Sequence, residues 1–324
     1  MTSVDDFRDH PVDIRLWDSR TDAFDDVVAL MRQSHDVEVS EEWVATKLSW
    51  ADGGIGAIAY ADDRPVGLAL LGHAPYRSGD RAASMMWSLD NFVIEQYRGQ
   101  GIYHRLLCHL TAAIDESDVE AVLTFPNSRS RPGFEKAGWV PLSPMWAYAR
   151  PVIGFNPVTN ARRLKNLATS MGRQFELIDT AGVTRADIEF LAHHAGETPG
   201  LAFDTRATAL AWRFDSRRGQ GYEAVTLADS GAVVRLGRRG PLLEVQVLAT
   251  FPRVLSGRGI RRVLAAVTSK YRPDLITMLS NKELTPGQTL AVGMWRLKMV
   301  TTPLLRPHGV DDMAILSGID LHLW

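Results

Sequence analysis

Two glycines, Gly99 and Gly101, lie between a stretch that favours a β-strand and a stretch that favours a helix. The strand-like stretch contains the β-forming residues Phe92 and Val93, and leucines recur at helical spacing after Ile102. Glycines at such a turn leave backbone N–H groups bare at the positive end of the new helix. An anionic group belongs there, and the obvious candidate is a pyrophosphate.

A second motif follows this loop further along the chain. Residues 120–125 favour a strand, Asn127 and Ser128 follow it, and the run from Gly133 to Trp139 reads GFEKAGW. An aromatic residue, a Glu-Lys pair and a glycine thus precede a final aromatic residue. The glycine loop alone is a weak indication, because phosphate-binding loops and ordinary tight turns look alike. Two motifs in this order are more specific.

These motifs resemble the acyl-CoA-binding signature of the GCN5-related N-acetyltransferases (GNATs), in which a strand, an Arg-Gly-x-Gly-Ile loop and a helix precede a later helix-to-strand motif. The resemblance implies an α/β (α+β) fold. It also implies acyl-CoA, either acetyl-CoA or one of longer chain, as co-substrate, and no metal. The residues that it implies for acyl-CoA binding are Phe92, Val93, Arg98, Gly99, Gln100, Gly101, Ile102, Tyr103, Asn127, Ser128 and Phe134.

The second half of the chain repeats both motifs. The loop after Ser256 reads GRGI, and residues 291–294 match the end of the later motif. Both pairs of motifs are separated by nearly the same number of residues, which indicates a tandem repeat. Ser256 stands where the first loop has Arg98, and Pro252 weakens a strand before the second loop. We therefore expect the first copy to bind acyl-CoA.

The sequence thus predicts two tandem GNAT-like domains, each with a mixed, mostly antiparallel sheet flanked by helices. An acyl-CoA-binding domain covers 1–150, a basic linker covers 151–175, and a degenerate domain on the acceptor side covers 176–324. The stretch 150–175 contains five basic residues and no acidic one. A solvated connector explains this stretch, and contact of its arginines with an anionic ligand is the alternative.

Composition excludes several classes of protein. A net charge of −2 over 324 residues gives no indication of a basic surface that would bind nucleic acid. The sequence has no run of about 18 apolar residues, which is the length that a membrane-spanning helix needs. The polar start of the chain does not resemble a signal peptide. The one cysteine, Cys108, fits a reducing compartment and a packed place on its helix. We therefore expect a cytoplasmic protein, and the sequence leaves its oligomeric state open.

Transfer of an acyl group from a thioester to an amine needs a polarised carbonyl, a neutral amine and a proton for the departing thiolate. The resemblance implies a backbone N–H near Phe92 or Val93 for the carbonyl, and a tyrosine just before the Glu-Lys pair for the thiolate. Phe134 stands at that place and has no hydroxyl. The side chains that could replace it are Tyr103, Tyr148 and Ser128.

Three places could supply a base for the amine. Asp90 lies on the central strand, where a structural hydrogen bond explains it equally well. His104 lies in the first turn of the helix after the loop, and this position is commonly at the surface. His193 and His194 end a helix predicted over 187–194, where histidine often complements the helix dipole. They also border a Gly- and Pro-rich loop in the acceptor half and titrate in the required range, so we assign the base to this pair.

The predicted function is an N-acyltransferase that transfers directly, in a ternary complex, to the amine of a bulky small-molecule acceptor. The tandem build and the composition resemble tailoring enzymes of natural-product pathways. Among these we single out N-acyltransferases of the aminosugar in glycopeptide antibiotics of the teicoplanin type. The alternatives are a mycothiol-synthase-like, aminoglycoside or phosphonate acetyltransferase, and a non-catalytic acyl-CoA-binding regulator, which Phe134 favours.

Overall fold

The computed structural model describes residues 11–34, 38–50, 53–152, 174–196, 201–214, 221–252, 256–280, 294–301 and 304–307. The strands are β1 (Val12–Asp18), β2 (Gly54–Ala61), β3 (Arg64–Ser78), β4 (Arg81–Val93), β5 (Ala121–Thr124), β6 (Val140–Pro141), β7 (Met145–Pro151), β8 (Glu176–Leu177), β9 (Leu201–Phe203), β10 (Tyr222–Leu227), β11 (Ser230–Arg239), β12 (Leu242–Phe251), β13 (Leu275–Ser280), β14 (Trp295–Thr301) and β15 (Leu304–Pro307). The helices are α1 (Asp25–Ser34), α2 (Glu41–Lys47), α3 (Ile102–Asp115), α4 (Arg131–Lys136), α5 (Arg185–His193), α6 (Ala207–Phe214) and α7 (Gly257–Tyr271). Within these ranges no helix is long and apolar enough to cross a membrane.

Local sequence signals explain several of these boundaries. The hydroxyl of Ser40 accepts a hydrogen bond from the N–H of Trp43 at 3.1 Å and so caps α2. The β2–β3 hairpin turns through Asp62 and Asp63, both with positive φ. A two-residue turn between antiparallel strands requires that backbone, and aspartate tolerates it.

Contacts divide the described residues into two compact units. The first lies within 11–76, 80–142 and 301–307, and the second within 77–79 and 143–300. The first sheet has the order β1-β2-β3-β4-β5-β15-β6 and the second the order β10-β11-β12-β13-β7-β14, with β8 beside β11. In each sheet one pair is parallel, β4–β5 or β12–β13, and a helix connects its strands. The neighbouring pairs are antiparallel, so the predicted fold class is confirmed.

Each sheet contains one strand from the other half of the sequence. β15 pairs with β5 and β6 in the first sheet, which places Leu304 opposite Thr124 and Pro141. β7 pairs with β13 in the second sheet. The first domain therefore does not run to residue 150 as predicted, because the strand that ends there completes the other sheet. Most of the predicted linker, residues 153–173, lies outside the described residues.

Candidate functional site

The loop between β4 and α3 has the backbone geometry that an anion site requires. Gly99 and Gly101 have φ values of 81° and 74°, in the left-handed region that favours glycine. Among the described residues, no atom lies within 4 Å of the point where a Cβ on either glycine would stand. The loop is exposed, and a side chain on either glycine would occupy the open space beside its backbone, which we call the cradle.

The N-terminus of α3 has no side-chain cap. Gly101 occupies the cap position, and its carbonyl accepts the N–H of Arg105 at 3.1 Å. The N–H groups of Ile102 and Tyr103 precede that bond, so the helix offers them no carbonyl. Together with the helix dipole they favour a negative group at this end. The cradle and the helix end therefore fit a pyrophosphate.

Arg98 ties the loop to the end of β4. Its Nε donates to the carbonyl oxygen of Val93 at 2.9 Å, and its guanidinium lies 5.7 Å from the centre of the Phe92 ring. The side-chain amide of Gln100 lies 3.5 Å from the carbonyl of Gln96. Both side chains are thus used within the protein. Their part in acyl-CoA binding stays a prediction, and it concerns their backbone groups.

The equivalent loop of the second unit differs in its helix cap and its backbone, although a Cβ on Gly257 would also stand in open space. The hydroxyl of Ser256 accepts the N–H of Gly259 at 3.2 Å and caps α7. Gly257 and Gly259 both lie inside α7, and neither has a positive φ. The cap already uses an N–H group that an anion would need. This loop is therefore a poorer anion site than the loop at Gly99 and Gly101.

β4 leaves β5 halfway along its length. The parallel pairing runs from Met85 opposite Ala121 to Trp87 opposite Leu123. β4 continues to Val93, whereas β5 ends one residue beyond the last pair. Among the described parts of the chain, the sheet is therefore open beside residues 88–93, directly before the glycine loop.

The open part of β4 also contains a bulge. Met86 and Val93 belong to the apolar cluster that packs α3 against the sheet. Leu89 and Phe92 pack on the opposite face, against the cluster of α1 and α2. Residues on one face of a regular strand are an even number apart, but each of these pairs is an odd number apart. One extra residue, a β-bulge, therefore lies between Leu89 and Phe92.

The end of β4 directs one backbone donor to the open side. The N–H of Ile94 donates to the carbonyl of Val66 on β3 at 3.0 Å. Successive N–H groups of an extended chain point to opposite edges. The N–H of Val93 therefore points toward the edge that β5 has left. The group predicted to polarise a carbonyl is a backbone N–H near Phe92 or Val93.

Asp90 lies in the open part of β4 and is paired with a lysine that the sequence pattern did not single out. Nζ of Lys47, the last residue of α2, donates to Oδ2 of Asp90 at 3.0 Å. The ammonium also lies 3.9 Å from the centre of the Trp43 ring. Burial lowers the pKa of Lys47, and the charge of Asp90 opposes that shift. The signal in the sequence was the place of Lys47 on the apolar stripe of α2, three residues after the buried Val44.

Phe134 lies in the core and not at the surface of the site, which corrects its predicted contact with acyl-CoA. Its side chain is 1% exposed. Its ring packs edge-on against Tyr103 and Trp139, with ring centres 6.0 and 4.8 Å away. A Cβ on Gly133 would lie 2.5 Å from the Tyr103 ring, so this glycine makes room for the tyrosine. Phe134 is buried because it forms the apolar face of the short helix α4.

The residues proposed to replace a tyrosine at 134 lie in three different places. The Tyr103 hydroxyl is buried and has no hydrogen-bond partner among the described residues. Burial raises the pKa of this phenol, so it stays protonated at neutral pH. Tyr148 is buried in the core of the second unit. Ser128 is exposed in the turn before α4, beside Asn127, whose Oδ1 accepts the N–H groups of two following residues at 2.9 Å.

His193 and His194 end α5 in the second unit. Nδ1 of His194 lies 2.8 Å from the carbonyl oxygen of Phe190, and the two rings stack with centres 4.2 Å apart. His193 is exposed, and its ring meets that of His194 edge-on. Each contact suits a residue that completes a helix end. Asp90 belongs to the other unit, so no single unit brings the candidate bases together.

Cys108 is exposed on α3, where a packed residue was expected. Its Sγ lies 3.6 Å from Nε2 of His104, which is exposed one turn earlier. The buried stripe of α3 includes Leu106, Leu107 and Leu110. Each residue turns the helix by about 100°, so Cys108 falls outside that stripe.

Comparisons with known proteins reveal the fold. The sequence matches no protein-family model and no curated protein. A GCN5-related N-acetyltransferase from Kribbella flavida has a similar structure, with a TM-score of 0.59 at 18% identity over 91% of this chain and 71% of its own. Eis1 from Mycobacterium abscessus gives 0.56 at 13% identity, over 92% and 73%. A tandem GNAT protein from the clavulanic acid biosynthesis pathway gives 0.50 at 12% identity, over 93% and 100%.

Identities this low establish architecture and not activity, because one fold hosts many functions. Each of the three likenesses covers more than nine-tenths of the chain and so extends over both units. Within this chain, each unit has one parallel pair of strands joined by a helix: β4, α3 and β5 in the first sheet, and β12, α7 and β13 in the second. The chain therefore has the fold of the tandem GCN5-related N-acetyltransferases.

Proposed function

We propose that this protein is an acyl-CoA-dependent N-acyltransferase whose first unit binds the donor. The observation that carries the proposal is the contrast between the two glycine loops. Gly99 and Gly101 have positive φ and their helix has no side-chain cap, whereas the glycines of the other loop have no positive φ and Ser256 caps its helix. The open loop also follows the strand that leaves β5. A pyrophosphate held there would place the rest of the donor beside the open edge of the sheet.

Backbone groups carry most of the donor's recognition in this proposal. The N–H groups from Arg98 to Tyr103 hold the pyrophosphate. The N–H of Val93 donates to the thioester carbonyl and stabilises the charge that develops on its oxygen. The candidate substitutes for the hydroxyl that Phe134 lacks are Tyr103, Tyr148 and Ser128; Ser128 is exposed, whereas the hydroxyl of Tyr103 is buried beside Phe134.

The amine loses its proton to a side-chain base in this proposal, and transfer is direct. His193 or His194 is our assignment for that base, with the second unit supplying the acceptor side. Asp90 is the rival, because it lies on the open part of β4. A general base of this kind contributes about 10²–10⁴-fold. No covalent intermediate on the protein is part of the proposal.

The acceptor that we propose is the amine of a bulky small molecule, and an aminosugar of a glycopeptide antibiotic is the specific candidate. The tandem build and the composition support a tailoring enzyme. The alternatives are amines of the mycothiol-synthase, aminoglycoside or phosphonate type. A panel with one amine from each class, assayed for release of free CoA, ranks them directly.

The decisive experiment combines binding with turnover. Calorimetry with CoA and with acetyl-CoA should give one site per chain, and free thiol should appear only when an accepted amine is added. Binding without release, for every amine and for acyl chains of several lengths, would favour the second candidate. That candidate is a non-catalytic acyl-CoA-binding regulator, and it is supported by the absence of a hydroxyl at Phe134.

A further inference from the structure

We propose that the protein associates with itself through complementary charge. A basic face on α7 of one copy binds an acidic face on α1 and α2 of a second copy. Both faces lie outside the residues that the proposed function uses, so the association holds whether or not the protein is an N-acyltransferase.

The basic face belongs to a stretch of one-sided charge. Residues 249–273 contain six basic side chains and no acidic one, which the net charge of −2 does not reveal. α7 occupies most of this stretch and buries Val263, Leu264 and Val267. Each residue turns a helix by about 100°, so the arginines of α7 lie opposite its buried side. Three exposed arginines make up the basic face, namely Arg258, Arg261 and Arg262.

The second unit leaves part of this charge unused. Arg262 is paired with Asp229 at 2.8 Å, whereas the side chains of Arg258 and Arg261 form no ion pair and no hydrogen bond within the described part of the chain. All three arginines lie in the first two turns of α7, and its first turn contains no acidic residue. Cations are unfavourable at this positive end of a helix. The arrangement therefore costs the fold stability, and a negative partner would offset that cost.

The acidic face has the opposite bias. Residues 18–42 contain eight acidic side chains and two basic ones. α1 and α2 pack their apolar sides into one cluster, so their polar sides face outward. Each helix has acidic residues in its first turn, which also suits the helix dipole. Four exposed carboxylates that form no ion pair with any described residue make up the acidic face, namely Asp25, Glu38, Glu41 and Glu42.

A second copy of the chain is the partner that fits these two faces. Every molecule carries both of them, so any two copies present charges of opposite sign to each other. Complementary potentials steer two proteins together and disfavour orientations that bring like charges into contact. A two-fold pair would form the contact twice, and a head-to-tail contact would extend into a ring or a chain. Because the charges are exposed, the association should be weak and should depend on salt.

The test is sedimentation velocity over a range of protein concentrations, at about 50 mM and at about 500 mM NaCl. At low salt the wild-type protein should sediment with a mass above that of one chain. At high salt it should approach the monomer, because the dissociation constant should rise about tenfold or more when the charges are screened.

Charge reversal identifies the two faces. Arg258→Glu with Arg261→Glu should give a monomer at low salt, and so should Glu41→Lys with Glu42→Lys. The variant with all four changes keeps the wild-type net charge and exchanges the signs of the two faces, so it should associate again. Arg185→Glu, on the exposed side of α5, is the control and should leave the association unchanged. Thermal melts show that the variants are folded, and Glu41→Gln with Glu42→Gln replaces the lysine pair if that pair does not fold.

Three results would overturn the proposed association. A monomer at both salt concentrations would mean that the two faces are only solvated. Association that persists at high salt, or in both pairs of reversals, would place the contact elsewhere on the molecule. A folded variant with all four changes that stays monomeric would show that the two faces do not meet. Restored association in that variant would support the proposal.

Discussion

The hydroxyl of Ser256 lies 3.2 Å from the backbone nitrogen of Gly259 and closes the N-terminus of α7. At Gly101, which begins α3 in the first unit, no side chain does this. The two loops are close in sequence, with one serine in place of Arg98 as a main difference. On this difference we base the proposal that the helix end at Gly101 is the better site for an anion.

Gly101→Val tests the donor site. A β-branched residue at a φ of 74° is strained, and its side chain would fill the cradle. We expect the affinity for acyl-CoA to fall about 100-fold or more, since each hydrogen bond to a charged group contributes about 1.5–3 kcal/mol. Calorimetry measures the change, and a thermal melt shows that the variant is folded.

Gly259→Val is the matched control for that change. Gly259 lies inside α7 without a positive φ, so valine there meets no left-handed backbone strain and lowers the helix propensity slightly. Affinity for acyl-CoA should stay close to that of the wild type. The reverse pattern, loss with Gly259→Val and retention with Gly101→Val, would move the donor to the second unit.

Single substitutions distinguish the candidate bases. His193→Ala and His194→Ala should each leave acyl-CoA affinity unchanged, and one of them should lower turnover by about 10²–10⁴-fold. Asp90→Asn is the rival variant. Steady-state rates at saturating acyl-CoA give the answer. Full turnover in both histidine variants, with loss in Asp90→Asn, would place the base on β4.

Tyr103→Phe removes a buried hydroxyl that has no partner among the described residues. Because an unsatisfied buried group costs about 1–3 kcal/mol, we expect the free energy of unfolding of the ligand-free protein to rise by about 1 kcal/mol. Denaturant unfolding measures it. A loss of stability would show that the hydroxyl has a partner. Turnover should fall while acyl-CoA affinity holds if this hydroxyl serves the thiolate.

Leu304→Ala tests the strand that returns to the first sheet. Leu304 is fully buried between β5 and β6, so its truncation should destabilise the protein by about 2–5 kcal/mol. Leu177 is 42% exposed, and Leu177→Ala should stay within about 0.5 kcal/mol. Equal effects in the two variants, measured by denaturant unfolding, would contradict the pairing of β15 with the first sheet.

Features encoded by neighbouring residues could be predicted from the sequence. The glycine loop, the β2–β3 turn at Asp62 and Asp63, and the repeated crossover all depend on local spacing and backbone preference. The tandem fold follows from repeating the same local motif.

Features that join distant residues could not be predicted in the same way. Lys47 and Asp90 are far apart in sequence and meet only when α2 packs on β4. The pattern of β7 marks a strand but not its partner, so its place beside β13 was missed. The predicted burial of Cys108 was wrong. The leucines of α3 mark its buried face, but the turn of about 100° per residue places Cys108 off that face.

Cys108 provides the test of direct transfer. A covalent route would need a nucleophilic thiolate close to the donor. Cys108 is exposed beside His104, off the stripe by which α3 packs on the sheet. We expect Cys108→Ser to retain turnover within about twofold. Mass spectrometry of the wild-type protein, incubated with acyl-CoA and no amine, should show no acylated chain. Because the thiol is exposed, iodoacetamide should alkylate it in the folded protein and leave turnover intact. An acyl group trapped on Cys108, together with loss of turnover in Cys108→Ser, would establish a covalent intermediate and replace the ternary mechanism.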